Sequence, residues 1–212
     1  GTMDDYLQNR FGLDRSTAGN LVLSFALMNI FARTLGGYFG DLFGKFRGLR
    51  GRVVFLALIL ATEGLMLSIF SVTTSLVFGM IFLIAFSLTV QMAEGATFSV
   101  VPFINKKAIG SISGIVGAGG NVGAFLAAML LKSKSAVAES AAIAANSELG
   151  AQAVKAAQTT AAASAVSSGF FVIGGFIVLA ALLSLAIKFA TADEMAVIEE
   201  TEAELILSGV DK

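Results

Sequence analysis

Residues 108–131 read AIGSISGIVGAGGNVGAFLAAMLL. The stretch is apolar and long enough to cross a bilayer as a helix, which takes about 20 residues. It carries six glycines, Gly110, Gly114, Gly117, Gly119, Gly120 and Gly123, and a single amide side chain, Asn121. Each glycine costs a helix in water roughly 1 kcal/mol against alanine. A membrane gives such a run a purpose, because small residues let helix backbones approach closely where no hydrophobic effect drives them together.

A nucleotide-binding reading of these glycines fails on spacing. A dinucleotide fingerprint needs Gly-x-Gly-x-x-Gly after a strand. Here Gly117 and Gly119 are followed by Val122 where the third glycine belongs, and no strand pattern precedes them. The Gly-Lys-Ser/Thr of a phosphate loop is also missing from the run.

The rest of the 212-residue chain agrees with a membrane location. Apolar residues make up 56% and charged residues 14%, and the mean hydropathy is +0.85, which is too apolar for a soluble domain. A net charge of −1 implies no nucleic-acid partner. The chain has no cysteine and no histidine, so thiolate chemistry and the commonest general base and metal ligand are excluded. No nucleophile–base pair or metal cluster is visible, so neither an enzyme nor a cofactor or metal site is expected.

Working outward, the pattern predicts an all-α, polytopic membrane helix bundle with five transmembrane helices. Residues 1–15 are polar and mixed in charge and read as an aqueous segment, and Ser16 or Thr17 can cap the helix that follows. The spans are expected at about Thr17–Gly40, Val53–Phe70, Leu76–Val101, 108–131 and Gly169–Ala190. Pro102 stops the third. The Ala/Ser-rich stretch 132–168 reads as an extracellular loop that could carry a surface helix, and 191–212 as an acidic cytoplasmic tail. Lys45, Arg47, Arg50 and Arg52 follow the first span, and Lys106 and Lys107 the third, whereas SVTTS at 71–75 carries no charge. The basic loops are therefore expected in the cytoplasm and the N-terminus outside. The opening Gly points to a piece of a longer chain.

Polar groups within the spans carry the functional reading. An arginine at bilayer centre costs about 2.5–3.5 kcal/mol, so Arg33 is expected to face protein or water. Asn29 lies four residues earlier on the same helical face, and Gly36, Gly40 and Gly44 recur at intervals of four. A guanidinium is a planar fork of donors that suits a planar oxyanion. The alternative is that Arg33 snorkels to the cytoplasmic edge. Asn121 could bind a ligand or tie two helices together. Glu63 in the second span, and Glu94 with Gln91 in the third, could carry protons; either glutamate could equally stay neutral and hydrogen-bonded, or pair with Arg33.

MNIFARTLGG (28–37), the GD and LRGR that follow, VQMAEGATFSVVPF (90–103) and SGIVGAGGNVGA (113–124) together resemble the C-terminal half of a nitrate/nitrite porter of the major facilitator superfamily. GGYFGDLFGKFRG (36–48) is similar to that superfamily's cytoplasmic loop motif, with Asp41 as its acid. The resemblance covers most of residues 5–131. It implies a partial major facilitator fold in which residues 1–131 hold helices eight to eleven of twelve and 169–190 the last. The N-terminal half of the same transporter would be a missing partner.

The resemblance further implies a plasma-membrane, multi-pass nitrate or nitrite transporter, proton-coupled as a symporter, present here as a C-terminal fragment in a lipid bilayer. Arg33 would be one of two arginines that clasp the anion, and Asn29 would line the same site. Gly117, Gly119, Gly120, Asn121 and Gly123 would form the signature helix beside it, with Glu63 and Glu94 as candidates for proton coupling. The competing expectation is a non-transporting membrane sensor or partner subunit.

Overall fold

The computed structural model describes residues 2–105, 108–147 and 150–189, without the side chains of 2–5, 21–22, 24–27, 29 and 30. Lys106, Lys107 and the acidic tail 191–212 lie outside the described residues. The ordered elements among the described residues are all helical: α1 (Thr2–Phe11), α2 (Arg15–Val72), α3 (Leu76–Val100), a 3₁₀ turn (Val101–Phe103), α4 (Ile109–Ala145) and α5 (Ala151–Ser184). Four helical stretches, Phe31–Val72, Leu76–Phe103, Ile109–Ala145 and Ala151–Ser184, are long and apolar enough to cross a bilayer. The chain is a multi-pass helical membrane protein.

The expected count is five, and the difference lies in α2. A straight helix of 58 residues would be about 87 Å long, far more than the roughly 30 Å hydrocarbon core. The chain instead leaves helical geometry at Arg47 (φ −139°, ψ 17°) and Gly48 (φ 61°, ψ −150°). The second is a conformation that only glycine adopts readily. There the chain folds back, so that Phe55 stacks on Phe43 with centroids 5.1 Å apart and on Phe39 at 6.2 Å. The two arms of α2 are the first two expected spans.

Short caps set the other ends. Asp14, rather than the expected Ser16 or Thr17, starts α2, its side chain accepting a 3.0 Å hydrogen bond from the Thr17 amide. Hydrogen bonds from Thr17, side chain first and backbone second, hold the Asp14 carboxyl below its usual range. Pro102 falls in the 3₁₀ turn that ends α3, where its missing N–H breaks no helical bond.

The helices pack through one main core. Leu67 and Phe70 of α2, Leu83 of α3, Leu131 of α4 and Val166 and Phe170 of α5 meet near the Thr73–Ser75 turn. The N-terminal segment, expected to be aqueous, also enters this core. Tyr6 and Leu7 of α1 are buried, Tyr6 stacks edge-on against Phe170 at 5.3 Å, and its hydroxyl shares a 2.9 Å hydrogen bond with Ser167. A second cluster of Phe55, Leu56 and Ala96 joins the second arm of α2 to α3.

Two further expectations are corrected. The 132–168 stretch is mostly helix, not loop: α4 continues to Ala145 and α5 begins at Ala151. Alanine is the strongest helix former, so an Ala-rich sequence extends both helices past the bilayer width; α4 alone is about 55 Å long. The last span correspondingly begins before Gly169 and ends at Ser184.

Two measurements test these features. The chain has no native cysteine, so Phe43→Cys with Phe55→Cys isolates one contact. A short bifunctional thiol reagent is expected to join them within one chain; a helix running straight through residues 47–48 would hold them about 18 Å apart and leave them unjoined. The depressed Asp14 pKa means that its cap is intact above the ordinary carboxylate range and is lost as pH falls through the lowered value. Protection of the Thr17 amide against hydrogen exchange, taken relative to its intrinsic rate at each pH, is expected to fall in that acid window, and an Asp14→Ala chain to lack that protection throughout.

Candidate functional site

Arg33 sits where two backbones nearly touch. A Cβ on Gly36 would collide with the Met92 carbonyl, and one on Gly95 with the Arg33 carbonyl. Two glycines, one on each helix, therefore let α2 and α3 close to backbone contact, as small residues do in membranes. Glu94 adjoins this contact, and its Oε2 accepts from Arg33 Nη2 at 2.5 Å. Gln91, one turn earlier on α3, accepts from the same nitrogen at 3.5 Å. Of the alternatives left open for Arg33 and Glu94, the structure takes the ion pair. The pair stays open to its surroundings, the Arg33 side chain being 53% exposed and that of Glu94 41%.

Glu94 also faces a cavity of about 1000 Å³ between the second arm of α2 and α3, α4 and α5. Its wall is largely apolar, and its polar groups include Glu63, Glu94 and Asn121. Glu63 is 8% exposed and, among the described residues, has no hydrogen-bonding or ionic partner. Gly117, Gly120 and Gly123 line the cavity beside Asn121; Gly119 does not. The cavity thus joins both candidate carboxylates to the glycine-rich helix. Arg33 is not among its lining residues and reaches it only through Glu94. The backbone of Asn29 belongs to α2, and its side chain lies outside the described residues.

The expected close packing of the α4 glycines is not found. A Cβ added at Gly110, Gly114, Gly117, Gly119, Gly120 or Gly123 would meet nothing within 4 Å. Among the described residues, Leu131 alone is buried in α4. Close glycine contacts occur instead at Gly36 and Gly95, and between α2 and α5, where a Cβ on Gly64 would lie 2.6 Å from the Gly174 carbonyl oxygen. The glycine spacing of α4 marks a surface without saying what covers it.

A second arginine cluster escaped the sequence reading, which counted Arg52 only as loop charge. Arg52 pairs with Asp41, donates to the Ser99 carbonyl at 3.2 Å and lies 4.7 Å from the Phe103 ring centre. It ties both arms of α2 to the end of α3. A Cβ on Gly44 would meet the Arg52 side chain and one on Gly51 the Phe43 carbonyl, so these two glycines beside the arginine were the available signal.

Comparison with known proteins places the chain. It is 40% identical over 126 residues, 59% of its length, to high affinity nitrate transporter 2.5 of Arabidopsis thaliana, of which the match covers 25%. It is 43% identical over 57% of its length to nitrate transporter 2.2 of Chlamydomonas reinhardtii, covering 24% of that protein. It is also 35% identical over 61% of its length to the nitrate/nitrite transporter NrtP of a Picosynechococcus strain, again covering 24%. Over that stretch the chain is similar to proteins named as nitrate or nitrate/nitrite transporters. It spans about a quarter of the length of these relatives. No family model and no solved structure matches it. The three relatives are named as transporters.

The Gly36/Gly95 contact predicts a sharp mutational effect. Gly95→Val must force α2 and α3 apart, and overpacking of this kind costs about 1–3 kcal/mol. A lower thermal midpoint in detergent and a lengthened distance between spin labels on the two helices are expected. Gly175→Val on α5, where there is open space, is the control and should change neither.

Proposed function

We propose that this chain belongs to a transporter that moves nitrate or nitrite across the plasma membrane by alternating access. The reading is carried by its similarity to three proteins named as nitrate or nitrate/nitrite transporters, at 35–43% identity. The chemistry of Arg33 supports it. A guanidinium presents parallel N–H donors in a plane, and a small planar oxyanion accepts them in pairs. Within an apolar bundle each such bond is stronger than in water.

In this proposal Arg33 is one clasp of the anion site, with Asn29 on the same face. Asn121 and the backbone of Gly117, Gly119, Gly120 and Gly123 form the opposite wall. The second clasp comes from an N-terminal half of the same transporter, seated against the open glycine face of α4. Such a site lies at the interface of two repeats, as is usual in secondary transporters. Proton coupling is assigned to one of the two cavity carboxylates, Glu63 or Glu94. The Arg47–Gly48 reversal and its basic neighbours lie in the cytoplasm, and the extended α4–α5 hairpin lies outside.

The decisive measurement is nitrate uptake by cells that lack their own nitrate uptake and express the full-length gene product carrying this chain. Arg33→Lys keeps the charge and loses the fork. Loss of a charge-assisted bond worth about 1.5–3 kcal/mol should weaken nitrate affinity by about ten- to a hundredfold. Uptake with unchanged affinity and rate in that variant would remove Arg33 from the site.

A further inference from the structure

Arg33 is a cation offered to an anion, yet one nitrogen of its fork is already occupied. The Glu94 carboxylate is itself a small, flat, singly charged oxyanion, and it accepts from Arg33 Nη2 at 2.5 Å. Nitrate bound to the same nitrogen would have to displace it or lie against it. Two anions at van der Waals distance repel strongly wherever water is scarce.

We propose that Glu94 is a built-in stand-in for the transported anion, so that an anion takes the Arg33 fork as a proton takes Glu94. This deepens the transport reading above and rests on it. Three observations support the exchange. The pair is held by the glycine contact at Gly36 and Gly95, so neither partner can retreat with its helix. Both side chains remain partly exposed, so an ion can reach them. Glu94 also lines the large cavity, which gives its carboxyl somewhere to turn when it leaves Arg33. Gln91 completes the device, since its Oε1 lies 3.5 Å from the same Arg33 nitrogen and holds the guanidinium in place while the carboxyl swings away.

The groups around Glu94 determine which carboxylate does this. From α2 it is faced by Arg33 and, across the cavity, by Glu63. From α3 it has Gln91 and Thr97, and from α4 the neutral Asn121. α5 contributes Ile173, Phe176 and Ile177, with no titratable group. Glu63 has no cation beside it and shares only the space, so its protonation does not release Arg33. The step balances simply: one proton adds to the Glu94 carboxylate, the ion pair opens, and one anion takes its place on Arg33. Linkage makes the effect reciprocal, and one proton per anion changes affinity by up to about tenfold per pH unit.

The test uses the full-length gene product, purified in detergent in weak buffer, with nitrate, nitrite and chloride added in turn while free proton concentration and anion binding are followed. The wild type is expected to take up protons as nitrate binds, and its affinity to fall as pH rises. Glu94→Gln, nearly the same shape, should bind nitrate about tenfold or more tightly near neutral pH, take up no protons and lose the pH dependence. Glu63→Gln should keep all three wild-type properties. Proton uptake that persists in Glu94→Gln, or disappears in Glu63→Gln instead, overturns the proposal. So does a wild type that binds anions with no proton uptake, or in which no added anion provokes it. Proton-linked binding of chloride or nitrite without nitrate would sustain the role of Glu94 and defeat the nitrate reading.

Discussion

The structure depends on backbone contact between helices. In a bilayer, helices gain little from burying apolar surface, because lipid is as apolar as leucine; they associate through close packing. Gly36 against Met92, Gly95 against Arg33, and Gly64 against Gly174 bring α2 to within main-chain contact of α3 and α5. The two arms of α2 share the work. The first arm meets α3 through Gly36, and the second meets α5 through Gly64. The reversal at Gly48 makes this possible, because a single straight α2 could not present both surfaces to one bundle. Any side chain larger than hydrogen at these points would separate the helices, and with them the charges they position.

Much of this organisation was legible in the sequence because it depends on local composition. Apolar runs bounded by Arg47–Arg52, Thr73–Ser75 and Pro102 mark where the chain enters and leaves helices, and the structure turns at each. The misreadings concern properties that a neighbour decides. The glycines of α4 look like packing residues, but they pack only if another helix arrives, and no helix among the described residues does. Tyr6 and Leu7 look like part of a polar leader, yet Phe70 and Phe170 offer them a pocket. Residues 132–168 look like a loop because their apolarity falls, although alanine is the strongest helix former.

The candidate site was legible in part for the same reason. Arg33 draws notice as a cation in an apolar run, and Glu94 as a carboxylate in another. That they meet depends on the register of α2 against α3, which the glycine contact sets. Asn121 and Glu63 share a cavity with Glu94 through the arrangement of four helical segments, a relationship that linear spacing does not encode.

The two arginine clusters show why one reads as a site and the other as a fastening. Arg52 gives its donors to Asp41 and to the Ser99 carbonyl and lies against the Phe103 ring, and its side chain is only 14% exposed. A carbonyl and a ring cannot be exchanged for a diffusing ion without unfolding the end of α3, so this cation is committed to the fold. Arg33 is more than half exposed, and it is held by side chains alone, those of Glu94 and Gln91. Side chains can rotate while the helices stay in place, and a carboxylate can be neutralised where a carbonyl cannot. The same arginine chemistry therefore gives opposite outcomes. Where the partners are backbone and ring, the charge joins helices; where they are mobile side chains beside a cavity, the charge is free to change partners.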